Sequence, residues 1–354
     1  MLFSPEPKSD RKDLYDREKE LEQLKSLSSP ISLVLGLRRT GKFSLINVAL
    51  NELGIPYIYI DLRKYEEKSY VTYKDILQDF EKEINRLTHK FPGLLDLMKR
   101  LRGVSILGNS ITLAWGGKDK VSFSSLLETL NDWGKFVLVL DEAQELIKVR
   151  GLNLLPIFAY SFDRLGKVKI ILGGSKMGML YRFLRVKDPD SPLYGKAMNE
   201  VILRPFTKSQ SIDFLRRGFE EANVPFNKEE DVYETLGGIP GWLTYFGYKY
   251  VQHKDFEKSM KETLEYVKGL IMKEFDNFLL DKQIAKERYL RIMKTVSKCA
   301  TWSQIKNSLE SLEGRRISDS EVKRYLDNLM DASFIEKKEE GYCPSDPLIG
   351  ITFS

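Results

Sequence analysis

The sequence predicts an α/β fold in which helices cover both faces of a parallel sheet, followed by an all-helical segment and a winged helix-turn-helix domain. Three observations support this. Short apolar runs that end in glycine or acidic residues recur between residues 31 and 174, which is typical of buried parallel strands. After Pro205 the apolar spacing becomes helical, and from Glu287 three helical segments precede a short polar hairpin. We place the domain boundaries at 1–205, 206–283 and 284–354.

Composition limits the classes of protein that the chain can represent. Its 354 residues suffice for two or three domains, and 42% hydrophobic and 30% charged residues are typical of a soluble globular protein. No apolar run approaches the roughly 18 residues of a membrane span, and the first residues lack a signal-peptide core. We expect a cytoplasmic protein without membrane contact, in which Cys299 and Cys343 form neither a disulfide framework nor a zinc site.

The first predicted strand, residues 31–35, leads into a loop bounded by Gly36 and Gly41, and an amphipathic helix begins at Lys42. Backbone N–H groups in such a loop, together with the helix N-terminus, can cradle nucleotide phosphates. Lys42 adds a full charge where the β- and γ-phosphates would lie. The alternative is a tight turn before a solvated helix start. The expected nucleotide contacts are Gly36, Arg38, Arg39, Thr40, Gly41, Lys42, Phe43 and Ser44.

One position departs from the usual pattern G-x4-G-K-[ST], because Phe43 replaces the hydroxyl that normally coordinates Mg²⁺. Ser44 follows directly, but one residue turns a helix by about 100°, so its oxygen is expected to face the α-phosphate instead. If the missing hydroxyl resembles one lost polar contact, it costs about 1–3 kcal/mol, or roughly 5- to 150-fold in metal-dependent affinity. We expect phosphate binding to survive this change and hydrolysis to be slow.

Two acidic residues follow the most apolar of the predicted strands. Phe136 to Leu140 form the strand, and Asp141 and Glu142 stand at its end. At such a position an Asp can hold Mg²⁺ through water, and a neighbouring Glu can polarise the attacking water. Acidic residues seldom end so apolar a strand without partners. The alternative is a solvated pair of carboxylates.

Other candidate residues lie at the ends of further elements. The strand over 168–172 ends in Gly-Gly before Ser175, which is expected to sense the γ-phosphate because parallel strands end at a common crevice; an ordinary turn is the alternative. Lys196 is the basic residue in the segment before the last strand, 201–203. A helix predicted over 11–27 contains Asp16 and Arg17, which are either a base contact or part of a charged surface.

The segment 64–120 is predicted to be an insertion on the sheet core without chemistry of its own. Its pattern indicates helices over 73–87 and 94–101 and a hairpin over 104–115 with its turn at Gly108 and Asn109.

The C-terminal domain has the element order of many DNA-binding domains but not their charge. Residues 299–354 include seven basic and ten acidic side chains, whereas nucleic-acid-binding domains usually have a basic surface. We therefore favour a protein contact or an autoinhibitory role. DNA contact is the alternative, through a local patch in 315–324 that contains Arg315, Arg316, Lys323 and Arg324.

The order and spacing of these motifs resemble the archaeal ATPase family, grouped with the STAND branch of AAA+-related phosphate-loop NTPases. The resemblance covers essentially the whole chain. It rests on DREKEL (16–21), GLRRTGK (36–42), LDEAQ (140–144), GGS (173–175), SPLYGK (191–196), GGIPGW (237–242) and DPL (346–348). It implies a five-stranded αβα sandwich, a helical lid and a winged-helix domain.

The resemblance also implies roles for individual residues. Lys42 would bind phosphates, Asp141 would hold Mg²⁺ through water, and Glu142 would activate the attacking water. Ser175 would sense the nucleotide. Asp16 and Arg17 would border the base, and Pro240 would lie on the lid loop that closes over it. Lys196 stands where many relatives have Arg, and Lys is a weaker bidentate phosphate clamp. Such proteins are thought to switch partners between ADP- and ATP-bound states. We expect an ATP-binding switch with slow or partner-stimulated hydrolysis; the alternative is a non-catalytic binder of ADP or ATP.

Overall fold

The computed structural model describes residues 1–108, 110–118 and 120–354. The strands are β1 (Ile31–Leu35), β2 (Tyr57–Asp61), β3 (Val71–Thr72), β4 (Val104–Leu107), β5 (Ser110–Leu113), β6 (Phe136–Asp141), β7 (Val149–Arg150), β8 (Val168–Gly174), β9 (Asn199–Ile202), β10 (Ile335–Lys338) and β11 (Gly341–Pro344). The helices are α1 (Glu18–Lys25), α2 (Lys42–Leu53), α3 (Tyr73–Lys90), α4 (Gly93–Met98), α5 (Phe123–Trp133), α6 (Leu154–Arg164), α7 (Met177–Leu184), α8 (Lys208–Glu221), α9 (Glu229–Leu236), α10 (Pro240–His253), α11 (Phe256–Leu279), α12 (Lys286–Val296), α13 (Trp302–Glu313), α14 (Asp319–Asp331) and α15 (Pro347–Phe353).

The central sheet has five parallel strands in the order β2-β6-β8-β1-β9. Alternate residues of its strands face opposite sides, as the two-residue period of a strand requires. One face packs against α3, α5, α6 and α7, and the other against α1 and α2. The predicted αβα sandwich with a parallel sheet is therefore confirmed.

Most strands predicted from apolar runs are present, with two local differences. β2 lies at the edge of the sheet, so Tyr57 and Tyr59 remain partly exposed rather than fully buried. The single helix predicted over 11–27 is wrong, because α1 begins only at Glu18, after Asp16 takes a left-handed conformation (φ 48°). Leu14 still packs beside the apolar side of α1, which explains why its spacing looked helical.

The segment 64–120 contains the two predicted helices, α3 and α4, and the predicted hairpin of β4 and β5. Asn109, half of the predicted turn, lies outside the described residues. Helix α3 begins with a capping box between Thr72 and Asp75 and buries Phe80 in the same core as the sheet. This helix therefore forms part of one layer of the sandwich.

The lid and the winged-helix domain share one apolar core. Phe275 of α11 lies 5.3 Å from Phe334 and 4.9 Å from Phe353 between ring centroids, and both partners belong to the C-terminal domain. Helix α11 is a single long helix, and the side chain of Asp255 caps its N-terminus. The predicted order of three helices and a hairpin is confirmed, and α15 follows the hairpin and packs on α11. Among the described residues, no helix is both long and apolar enough for a membrane crossing.

Cys299 and Cys343 form a disulfide, so the expectation that these residues would remain unpaired is wrong. The bond joins the connection between α12 and α13 to strand β11 of the wing, across 44 residues of sequence. The spacing of the two cysteines gave no signal of this, because the antiparallel bridge between Ala300 and Tyr342 is what brings them together.

Reduction of this disulfide is expected to lower the free energy of unfolding of the winged-helix domain by about 2–4 kcal/mol, because the bond closes a long loop in the unfolded chain. Urea unfolding with and without reductant measures the effect, and Cys299→Ala is the control that should not respond to reductant. Complete alkylation of both thiols in denatured, unreduced protein would show that the bond is absent.

Candidate phosphate-binding site

The loop between β1 and α2 has the curled backbone that the glycines predict. Gly41 has φ 97°, a conformation that side chains with a Cβ rarely adopt. A Cβ on Gly36 would lie 2.5 Å from the carbonyl oxygen of Leu203, so the loop also needs glycine where it passes the end of the sheet. These two positions set the direction in which α2 leaves the loop.

Lys42 is the first residue of α2, and its side chain is only 6% exposed. Its ammonium folds back on the loop and donates to the carbonyl oxygens of Gly36 (2.8 Å) and Leu37 (2.9 Å). Burial lowers the pKa of Lys42, and the charges of Glu142 and Asp141 oppose this effect. The ammonium is thus held at the centre of the loop by acceptors that a phosphate group can replace.

Asp141 and Glu142 end β6 at the same edge of the sheet. Asp141 accepts hydrogen bonds from the Tyr59 hydroxyl (2.7 Å) and from the backbone N–H of Glu142 (2.9 Å). Gly173 on the neighbouring strand leaves room for this carboxylate, since a Cβ there would overlap its Oδ1 atom. Burial, and then the charge of Glu142, raise the pKa of Asp141.

Glu142 has a left-handed backbone (φ 51°) that turns its carboxylate toward Ser175. Its Oε2 atom accepts from the Ser175 hydroxyl (2.5 Å) and backbone N–H (3.2 Å) and from Gln144 Nε2 (2.6 Å). Burial would favour the neutral carboxyl, but the charges of Lys42 and Arg38 prevail and lower the pKa of Glu142. Glu142 is therefore ionised at neutral pH, and its orientation is fixed.

A cavity of about 450 Å³ lies between the sandwich and the lid. Eleven of the sequence-predicted site residues line it: Arg17, Arg38, Arg39, Thr40, Gly41, Lys42, Phe43, Ser44, Asp141, Glu142 and Pro240. The lysine and the two acids, which are a hundred positions apart in sequence, thus face one space. Its size falls within the range of small-molecule sites, about 300–1,000 Å³.

Other predicted residues lie outside the lining of this cavity. Ser175 reaches it only through Glu142, and Gly36 lies beneath the loop. Asp16 accepts a hydrogen bond from Gln210 of α8. The structure does not bring Lys196 into the site, because its ammonium is paired with Asp163 (2.6 Å) and lies over the Phe162 ring.

Several residues of the site were missed in the sequence. Tyr59 and Arg63 flank the end of β2, and a position at the carboxyl end of a parallel strand is a signal that could have found them. Glu274 of α11 gave no local signal. It forms ion pairs with Arg38 and Arg39 at 2.9 Å, which ties the loop to the lid.

The lid also reaches the loop through Trp242. Its ring lies 4.4 Å from the Arg39 guanidinium, and its indole N–H donates to the buried carboxylate of Asp346 (2.8 Å). The backbone N–H of Gly241 donates to the Arg39 carbonyl (3.0 Å). One loop arginine therefore contacts the lid directly and, through one tryptophan, the C-terminal domain.

The oxygen donors around the loop fit direct Mg²⁺ coordination poorly. Phe43 offers no oxygen and packs edge-on against the Tyr59 ring, with 5.3 Å between centroids. The Thr40 hydroxyl donates to the Leu37 carbonyl (2.8 Å), and the Ser44 hydroxyl accepts from the backbone N–H of Lys8 (3.0 Å). The sequence assigns the metal contact to Asp141, and because both of its oxygens already accept hydrogen bonds, a contact through water would fit better than direct coordination.

Comparisons with known proteins agree with this geometry. The family model described as an ATPase domain predominantly from Archaea matches residues 14–246, and that of the MCM protein C-terminal winged helix-turn-helix domain matches residues 283–345. A Walker-type ATPase of Pyrococcus abyssi is similar over 100% of this chain and 99% of its own, with 35% identity and a TM-score of 0.83. Cdc6p of Pyrobaculum aerophilum shares the fold at 18% identity and a TM-score of 0.50, over 99% of this chain and 97% of its own. No curated protein matches the chain.

Asp141→Asn is expected to stabilise the nucleotide-free protein at pH 7 by about 0.5–2 kcal/mol, because burial and the charge of Glu142 disfavour the ionised carboxylate. Because the folded-state pKa of Asp141 is raised, the wild type loses stability as the pH rises through that value. Below the ordinary Asp pKa both states are protonated, so the gain should vanish there. Thermal unfolding between pH 3.5 and 8 measures it.

The matched control is Asp163→Asn, which removes a carboxylate from an exposed ion pair. An equal gain in stability from both variants, or a gain from Asp141→Asn that does not change with pH, would show that the buried charge of Asp141 does not destabilise the protein.

Proposed function

The chain belongs to the family of ATPase domains found predominantly in Archaea, and on that basis we propose that it is an ATP-binding switch whose hydrolysis is slow or stimulated by a partner. The observation that carries this proposal is the shared cavity. Lys42, Asp141 and Glu142 line one space between the sandwich and a lid that contacts the loop. That arrangement suits a nucleoside triphosphate with its phosphates in the loop.

Binding of the phosphates would replace the present partners of Lys42. Its ammonium would exchange two loop carbonyl oxygens for phosphate oxygens, which are charged and form stronger hydrogen bonds. Arg17, stacked 4.7 Å from the Phe206 ring, and Pro240 line the same cavity and would lie beside the base. Asp16 accepts a hydrogen bond from Gln210 of α8, so it would support this side of the cavity without lining it.

Hydrolysis requires a water aligned on the γ-phosphate, and Glu142 is the residue suited to orient it. Its carboxylate is ionised, and Ser175 fixes its direction, so Ser175 would act on the reaction through Glu142. Asp141 would be the water-mediated contact for a metal, without support from a hydroxyl at position 43. This incomplete donor set supports slow turnover.

The contacts of Arg39 support the switch part of the proposal. Its guanidinium is shared between Glu274 and the Trp242 ring, and Trp242 holds Asp346 of the C-terminal domain. Nucleotide phosphates arriving in the loop would compete with Glu274 for the loop arginines. The lid and the C-terminal domain would then change position with the state of the nucleotide.

A protein partner is favoured over DNA for the winged-helix domain. Within the basic patch, Arg315 pairs with Glu313 (3.2 Å) and Arg324 with Glu321 (3.8 Å), which reduces the charge available to phosphates of DNA. The end of α14 also docks on the sandwich, where Asp331 pairs with Arg182 of α7. Binding that falls steeply with salt would instead indicate DNA.

Lys42→Ala is expected to weaken ATP binding roughly 100-fold or more, since it removes charge-assisted hydrogen bonds to two phosphates. Glu142→Gln should bind ATP as the wild type does and release phosphate roughly 100-fold more slowly. Calorimetric titration and a phosphate-release assay with Mg²⁺ measure the two effects. Unchanged binding by Lys42→Ala would refute the site, and no release from wild type under any condition would favour a non-catalytic nucleotide binder.

Phe43→Thr is expected to raise Mg²⁺-dependent hydrolysis, because it restores one metal-coordinating oxygen worth roughly 5- to 150-fold in metal affinity. Phe43→Leu is the matched control, since it removes the aromatic ring without adding an oxygen. Phosphate release over a Mg²⁺ series separates the two variants. The same rate for Thr and Leu, or rapid turnover by the wild type, would show that the hydroxyl at this position is not limiting.

A further inference from the structure

We propose that Arg63 contacts the terminal phosphate of ATP and supplies there the positive charge that Mg²⁺ supplies in other phosphate-loop NTPases, so that this site binds ATP without a divalent cation. The inference rests on the proposed function and specifies how that site recognises the γ-phosphate. It depends on the surroundings of Asp141 and on the position of Arg63.

Tyr59 lies beside Asp141, and Phe43 packs against the ring of Tyr59. Phe43 and Tyr59 pack edge to face, with 82° between their ring planes, and the Tyr59 hydroxyl donates to Asp141 Oδ2. A metal bound on this side would have to displace that hydroxyl. The other oxygen, Oδ1, already accepts the backbone N–H of Glu142.

Arg63 is placed to replace the missing charge. It lies in the short 3-10 helix Leu62–Tyr65, directly after β2, and lines the cavity together with Lys42, Asp141 and Glu142. Asp61, the register partner of Asp141 in the sheet, holds Arg63 Nε at 2.9 Å. Among the hydrogen bonds of the described residues, those from the Arg63 side chain use Nε and Nη2, so Nη1 is the nitrogen that we assign to the phosphate.

The electrostatic surroundings agree with this position. The hydrogen bond with Asp61 raises the pKa of Arg63, and the charges of Asp141 and Glu142 raise it further, so the guanidinium lies within their field. It therefore offsets the repulsion that these two acids would exert on a triphosphate.

The two arginines of the loop are less available than Arg63. Arg38 is shared between Glu66 and Glu274, and Arg39 between Glu274 and Trp242. Each would have to break a contact with the lid or the sandwich to reach a phosphate. Arg63 can donate Nη1 while Asp61 still fixes its direction, which preserves its orientation on binding.

Arg63→Gln tests the proposal through binding rather than turnover. The affinities for ATP and ADP are measured by calorimetric titration, with Mg²⁺ and with EDTA. We expect wild type to bind ATP in EDTA within about threefold of its affinity in Mg²⁺. Arg63→Gln should lose about tenfold or more of its ATP affinity in EDTA, as for one charged hydrogen bond, and less than threefold of its ADP affinity.

Lys64→Gln is the matched control, because Lys64 is the next residue of the same 3-10 helix and pairs with Asp79 outside the cavity. Retained ADP binding shows that Arg63→Gln is folded. Equal losses of ATP and ADP, or a wild type that needs Mg²⁺ to bind ATP, would overturn the role of Arg63 while leaving the proposed function intact. A wild type that binds neither nucleotide with Mg²⁺ would refute the proposed function itself.

Discussion

The buried charges beneath the loop are the constraint on which this structure depends. The ammonium of Lys42 follows β1, and the carboxylates of Asp141 and Glu142 end β6, with β8 between these two strands; each of the three residues is less than 10% exposed. Burying charges is unfavourable unless they are paired and hydrogen-bonded. Lys42 is stabilised by loop carbonyls, Glu142 by Ser175 and Gln144, and Asp141 by Tyr59. The curled loop, the left-handed backbone of Glu142 and the space beside Gly173 allow these groups to find their partners, and all three groups line one cavity.

Local sequence patterns predicted most of the fold and those residues of the candidate site that follow the strands of the sheet. Apolar runs located the strands, and their ends located Lys42, Asp141 and Glu142, because all parallel strands finish at one edge. The pattern failed where a contact depends on distant elements. Helix α1 begins only after Asp16, and Lys196 is paired with Asp163. The disulfide forms because the β-bridge between Ala300 and Tyr342 brings the two cysteines together. No window of sequence contains both partners of such contacts.

The contacts between the loop and the lid are also formed by residues far apart in sequence, and they connect the three domains. Glu274 comes from the C-terminal part of α11, yet it binds two loop arginines, and Trp242 joins the loop to Asp346, about a hundred residues further on. The lid and the C-terminal domain share a continuous core, so they should move as one body against the sandwich. In the proposed switch, a change at the loop would therefore pass to the lid through a few polar contacts rather than through repacking of a core.

Phe43 and Tyr59 form a pair of contacting side chains beside Asp141. The ring at position 43 removes a hydroxyl from the loop, and the tyrosine beside it brings a hydroxyl to Asp141 from the neighbouring strand. An unpaired buried carboxylate would be costly in the absence of a metal, and the Tyr59 hydrogen bond offsets that cost. The same strand continues to Asp61, the acid that orients Arg63. The missing oxygen belongs to α2, whereas the hydroxyl that donates to Asp141 and the acid that orients Arg63 both come from β2. For this reason the edge strand, and not only the loop, determines how the buried charges of this site are paired.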